Sequence, residues 1–122
     1  MSAPHDRSAI ADLLDRYVEG ARTGSAEAVE AVFEPTARIR GSLHGTPVDR
    51  SAAEFGAFVA DSGAALTLRA EPPRIDVVGD AASARLECLD WHGIRYTDLF
   101  TLLRRDGRWR IVSKVFHAHA DA

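Results

Sequence analysis

The feature that most limits the fold of this chain is a change of hydrophobic period at Gly63. Before it, apolar residues recur at helical spacing. Ile10, Leu13, Leu14, Tyr17, Val18 and Ala21 stand at i, i+3, i+4, i+7, i+8 and i+11. That pattern predicts an amphipathic helix over roughly residues 6–21, with Gly20 and Gly24 helping to end it. Ser25 is placed to cap a second short helix carrying Val29, Val32 and Phe33, and Pro35 stops it. Residues 37–42 read as a short strand that turns at His44-Gly45 toward 46–48. Ser51-Ala52-Ala53-Glu54 is a capping box, in which side chain and backbone at a helix start satisfy each other. It opens a third helix with Phe55, Phe58 and Val59 on one face and Gly63 beyond its end.

After Gly63 the pattern is extended. Strands are predicted over 65–71, 74–78, 82–91, 94–103 and 109–119. Pro72-Pro73 breaks the first pair, or kinks one long bent strand. Gly79-Asp80, His92-Gly93 and Asp106-Gly107 are hairpin signals. Helices followed by an antiparallel meander, with no βαβ rhythm, argue for an α+β fold with the helices on one sheet face.

The 122 residues suit one domain spanning 1–122, and 46% hydrophobic content suffices for one core without staples. A net charge of −3 gives no electrostatic case for nucleic acid or an anionic membrane. With Cys88 the single cysteine, no internal disulfide can form, and a reducing, cytoplasmic setting fits. The opening residues carry Asp6 and Asp12 and lack the apolar core of a signal peptide. No apolar run reaches the ~20 residues of a membrane span.

Asp98 stands in the middle of a predicted strand, among apolar neighbours. An ionisable group there is costly unless something bonds it or uses it. Asp98 is therefore a candidate acid, base or oxyanion donor; a structural role beside Arg40 or Arg95 is the alternative. Tyr17 lies on the apolar face of the first helix, so its hydroxyl ends inside the fold, bonding Asp98, a ligand or a backbone carbonyl. His117 is in phase with Trp109, Ile111, Ser113 and Val115. If that face is inner, His117 looks into a pocket mouth and can move protons. Lys114, the single lysine, is an anion hook or Schiff-base candidate if inward, but an outward, solvated charge is the favoured expectation. Cys88 and Asp90 share a predicted face, and Trp91 is expected on a sheet face or dimer contact. The histidines lack metal-ligand spacing, so no metal is expected. Neither a phosphate loop nor a serine elbow is present, and no cofactor is expected.

The opening IADLLDRYVEGARTGSAEAVEAVFEPTARI and the ending DLFTLLRRDGRWRIVSKVFH resemble the nuclear transport factor 2-like superfamily. The segment from Trp109 to Phe116 is most similar to its lumazine-binding branch and the opening is also similar to ketosteroid isomerases; the chain as a whole resembles the branch that also holds SnoaL-like polyketide cyclases. The resemblance implies three helices packed on a strongly curved sheet, forming a cone with an internal pocket. It implies pocket walls from Leu14, Val18, Phe33, Phe55, Phe58, Phe100 and Phe116, and a homodimer packed through the sheet face.

The superfamily hosts many activities, so activity must come from the site. In ketosteroid isomerases a tyrosine and a neutral aspartic acid bind a developing enolate while a second aspartate moves the proton. By that resemblance Tyr17 and Asp98 take the first two places, and the third falls on Gly41, which cannot be a base. The Val112, Lys114, Phe116 phase of the last strand would then face inward, against the phase that places His117 there; one β-bulge would reconcile the two. The expected function is cofactor-free isomerisation, cyclisation or dehydration of an apolar cyclic or polyketide-like metabolite, catalysed by Asp98, Tyr17 and His117. The alternative is a non-catalytic binding protein for a flat heteroaromatic ligand.

Overall fold

A computed structural model describes residues 3–119. Its helices are α1 (Ala3–Thr23), α2 (Ala26–Glu30) and α3 (Ala52–Ser62). Its strands are β1 (Phe33–Leu43), β2 (Thr46–Ser51), β3 (Arg69–Ala70), β4 (Arg74–Val78), β5 (Ala81–Trp91), β6 (Ile94–Arg105) and β7 (Arg108–Ala118). The strands form one curved, open sheet in the order β2-β1-β7-β6-β5-β3, and β4 also pairs with β5. All pairings are antiparallel except that of β1 with β7, which is parallel. The helices cover the concave face: Ile10, Leu14 and Tyr17 of α1 and Phe55 and Val59 of α3 join Leu86, Phe100 and Ile111 in one buried cluster.

Local chemistry explains the boundaries. Both bonds of the capping box form at the start of α3: Ser51 Oγ accepts from the Glu54 N–H, and Glu54 Oε1 accepts from the Ser51 N–H. Three hairpins turn on a residue pair with both φ angles positive, His44-Gly45, His92-Gly93 and Asp106-Gly107. This is the type I′ geometry whose twist matches that of the strands it joins.

Two expectations change. The second helix stops at Glu30, so Val32 and Phe33 leave it and Phe33 opens β1. Pro35 therefore lies in a strand, within the stretch between Phe33 and Arg38 where the ladder to β7 shifts register. A residue without an N–H is tolerated at such a break. The strand expected over 65–71 shrinks to Arg69–Ala70, because a turn closed by Leu68 N–H to the Ala65 carbonyl takes its first half. β3 and β4 both pair with β5 on either side of Pro72-Pro73, as one bent strand would.

The inner face of β7 is set by one irregularity. Thr101 pairs with Ser113, but the next residue, Leu102, pairs with Ile111, which leaves Val112 as an extra residue. Trp109 and Ile111 are buried before this bulge, and Lys114 and Phe116 after it. A bulge changes which side chains a strand presents to each face. Both phases of the last strand are thus inward, each over its own half.

Candidate active site

Asp98 stands between Leu86 and Phe116 in the sheet register, and Lys114 beside Phe100. Tyr17 reaches them from the apolar stripe of α1. Tyr17, Cys88 and Asp98 are each 0% exposed and Lys114 is 3% exposed. Lys114 Nζ donates to Tyr17 Oη at 2.6 Å, and Tyr17 Oη donates to Asp98 Oδ2 at 3.0 Å. The Cys88 thiol donates to the same oxygen at 3.6 Å. Asp98 Oδ1 lies 3.8 Å from Lys114 Nζ and has no hydrogen-bond partner among the described residues.

An aromatic cage surrounds this chain of polar atoms. Lys114 Nζ sits 4.2 Å from the Phe55 ring centroid and 5.1 to 5.4 Å from those of Tyr17, Phe116 and Trp91. Ring faces carry negative potential, so the cage partly replaces the water that an ammonium loses. A cavity of about 20 Å³ opens beside the amine, lined by Leu43, Arg50, Phe55, Phe58, Trp91, Tyr96, Lys114 and Phe116. That is room for a water molecule, well below an ordinary ligand pocket. The Lys114 side chain itself occupies the cup. Arg50 stacks on Phe58 at 4.1 Å beside it.

Burial drives the electrostatics. It pushes the Asp98 carboxyl up from its ordinary value, with Lys114, Tyr17 and Cys88 pulling back. Burial also lowers the Lys114 ammonium, against the pull of Asp98 and with a further push from Arg50. The Tyr17 phenol and Cys88 thiol are both raised, by burial first and the Asp98 charge second. Each shift favours the neutral form, as a low-dielectric compartment requires. The order of hydrogen bonds gives a path along which an ammonium can pass its proton through the phenol to the carboxylate, leaving a neutral amine and a neutral acid.

Tyr17 and Asp98 meet inside the fold as the sequence suggested. His117 does not join them; beyond the bulge its side chain is exposed on the outer face of β7. Of the seven expected wall residues, Phe55, Phe58 and Phe116 line the cavity. Leu14, Phe33 and Phe100 are buried one layer behind it, the two rings standing edge-on to Tyr17. Val18 is half-buried and faces a different groove, beside Asp15, Glu19 and Leu68. Lys114, expected outward, and Trp91, expected on a sheet face or dimer contact, both line the cavity. A second bulge explains Trp91: the β5–β6 register shifts between Cys88 and Trp91, and Asp90 takes φ 59°. Asp90 thereby leaves the Cys88 face. Gly41 has a packing reason: a Cβ there would stand 2.5 Å from the Phe116 carbonyl oxygen. No acid fits at that position unless β7 moves.

Among the described residues no group of three or more His, Cys, Asp or Glu could hold a metal ion, and no helix is long and apolar enough to cross a membrane.

Residues 5–117 match the family described as putative lumazine-binding. The chain belongs to this family. Like other members of the nuclear transport factor 2-like superfamily, the lumazine-binding-type chain has close structural counterparts. An NTF2-like protein of unknown function from Methylobacillus flagellatus is 33% identical, covers 98% of this chain and 96% of its own, and superposes with a TM-score of 0.91. A second one, from Shewanella baltica, is 30% identical over 98% of both chains, with a TM-score of 0.90. A protein named aldolase FrzH, from a Cladobotryum species, is 28% identical over 104 residues, 84% of this chain and 83% of its own.

Proposed function

We propose that this lumazine-binding-family protein is a cofactor-free acid–base enzyme for a small apolar carbonyl compound, of cyclic or polyketide-like type. Isomerisation, cyclisation, dehydration and aldol bond formation share one need: a proton must leave or join carbon next to a carbonyl. The observation that carries this reading is the buried amine of Lys114, at the cavity wall and wired through Tyr17 to Asp98. Lys114 would exchange the proton with the ligand, Tyr17 would pass it on, and Asp98 would store it. His117, on the outer face, has no part. The name of the Cladobotryum relative supports carbonyl chemistry. Entry of a ligand requires Phe58 and Arg50, at the half-buried side of the cavity, to swing away. A cytoplasmic setting goes with this reading.

Proton NMR in deuterated buffer tests it, with cyclohexanone as probe. The wild type should speed loss of the α-hydrogen signals; Lys114→Met should abolish the effect and Asp98→Asn should reduce it on the order of 10²-fold. Equal exchange with and without protein would end the proposal.

A second reading is a binding protein for a flat heteroaromatic molecule. The aromatic lining of the cavity and the family description favour it. Saturable binding of lumazine without exchange of any carbonyl probe would select it.

We infer further that two copies pair through the outer sheet face. Leu99 and Val115 are 51% and 50% exposed on adjacent strands there. Arg74, Asp76 and Arg85 flank them, a rim of both signs that a two-fold axis can match to itself.

A further inference from the structure

We propose that Lys114 acts as a covalent nucleophile, condensing with the aldehyde or ketone carbon of the ligand to form an imine. The inference deepens the carbonyl acid–base function proposed above and rests on it. Three observations point the same way. The amine is held at a cavity wall, where an incoming carbonyl meets it before it meets Tyr17 or Asp98, neither of which lines the cavity. Its hydrogen bonds run outward from nitrogen, Nζ to Oη to Oδ2, in the direction that carries a proton away. Oδ1 of Asp98 stands buried, 3.8 Å from Nζ and with no hydrogen-bond partner among the described residues, leaving that carboxyl free to take and return a proton. A second cation, Arg50, shares the cavity and disfavours the charged amine, a known way to make lysine nucleophilic at neutral pH.

The steps balance without any oxidant or reductant. The ammonium gives one proton through Tyr17 to Asp98. The freed nitrogen lone pair attacks the carbonyl carbon; a C–N bond forms as the C=O π pair moves to oxygen. A nitrogen proton passes to that oxygen, giving a neutral carbinolamine. Asp98 returns its proton through Tyr17, the hydroxyl leaves as water, and nitrogen's lone pair closes the C=N bond. The resulting iminium withdraws electrons from the neighbouring carbon, which eases loss of its proton; nitrogen, now bonded to the ligand, no longer takes that proton, which passes through Tyr17 to Asp98, a carboxylate again after the previous step.

The sequence makes the test unusually clean, because Lys114 is its single lysine. In the full chain the other aliphatic amine is the one at the N-terminus. The folded protein is incubated with propanal, and separately with cyclohexanone, in the presence of cyanoborohydride, which supplies the hydride that fixes an imine as a secondary amine. Peptide mapping then compares the two amines. The expected result is alkylation at Lys114 at least tenfold faster than at the N-terminus with one of the probes. Tyr17→Phe should slow labelling at Lys114 about tenfold and leave the N-terminal rate unchanged. Labelling confined to the N-terminus, or reaching Lys114 only in urea, would overturn the inference. Cyclohexanone exchange in deuterated buffer without any trapping at Lys114 would do so too, while leaving the acid–base function standing. Absence of both would remove both.

Discussion

Lys114 and Asp98 share one apolar compartment, and removing either alone leaves the other buried without its counterpart. Lys114→Met should cost about 3–5 kcal/mol, the usual penalty for breaking a buried ion pair from one side. The double change Lys114→Met, Asp98→Asn should recover most of that loss, because no uncompensated charge then remains. Urea unfolding of the four proteins in the cycle measures it; additive losses would show that the two groups do not interact. Protonation gives a second handle. The Asp98 carboxyl is raised above 3.8, so above that pH the native state holds a proton that the unfolded chain releases. Its contribution to stability is full below 3.8 and is lost as pH rises through the raised value. Lys114, lowered from 10.5, has the opposite sign: between its lowered value and 10.5 the unfolded chain binds more protons, and stability grows with pH. Unfolding free energies across a pH series should therefore show the wild type's advantage over Asp98→Asn shrinking as pH climbs from 4. An advantage that grows over that range would mean that the carboxyl is lowered instead.

At the scale of the element, the inner surface of β7 depends on Val112 being an extra residue. Deleting Val112 removes the bulge but keeps Trp109, Ile111, Lys114 and Phe116 in one alternating phase. Adding an alanine between Ser113 and Lys114 turns Lys114 and Phe116 outward, since side chains alternate with a period of two. The deletion should leave a cooperative thermal transition at reduced temperature, and the insertion should abolish it; circular dichroism melts decide. This dependence also explains what could be read from the chain in advance. The α1 stripe, the Ser51 capping box and the residue-glycine turns are local patterns, and they placed Tyr17 and the strands that follow. Asp98 was legible because an acid amid Tyr96, Leu99 and Phe100 needs a reason. The fates of Lys114 and His117 were not, because they turn on where β7 changes register against β6. Val112 and Ser113 carry no glycine or other mark of a bulge. The second such shift, at Leu89 and Asp90, hid Trp91 in the same way. Val32 and Phe33 looked helical because helix and strand periods cannot be told apart over two residues.

For the whole molecule, the concave face of the sheet is spent on the core and the cage, and the convex face is the one proposed above to pair with a second copy. Light scattering should give twice the 13.2 kDa chain mass. Leu99→Glu with Val115→Glu should return the single-chain mass and keep the fold, since both side chains lie half in solvent. A single-chain mass for the unaltered protein would remove the dimer. The cage itself has an experimental use. Lys114 Nζ lies 5.4 Å from the Trp91 ring, whereas the other tryptophan, Trp109, donates its indole N–H to Asp6 at 3.2 Å. A charge at that distance polarises the excited indole, so the colour of Trp91 emission reads the state of the lysine. In a Trp109→Phe background the protein becomes its own fluorimeter, and any compound that neutralises or displaces the amine announces itself without a label.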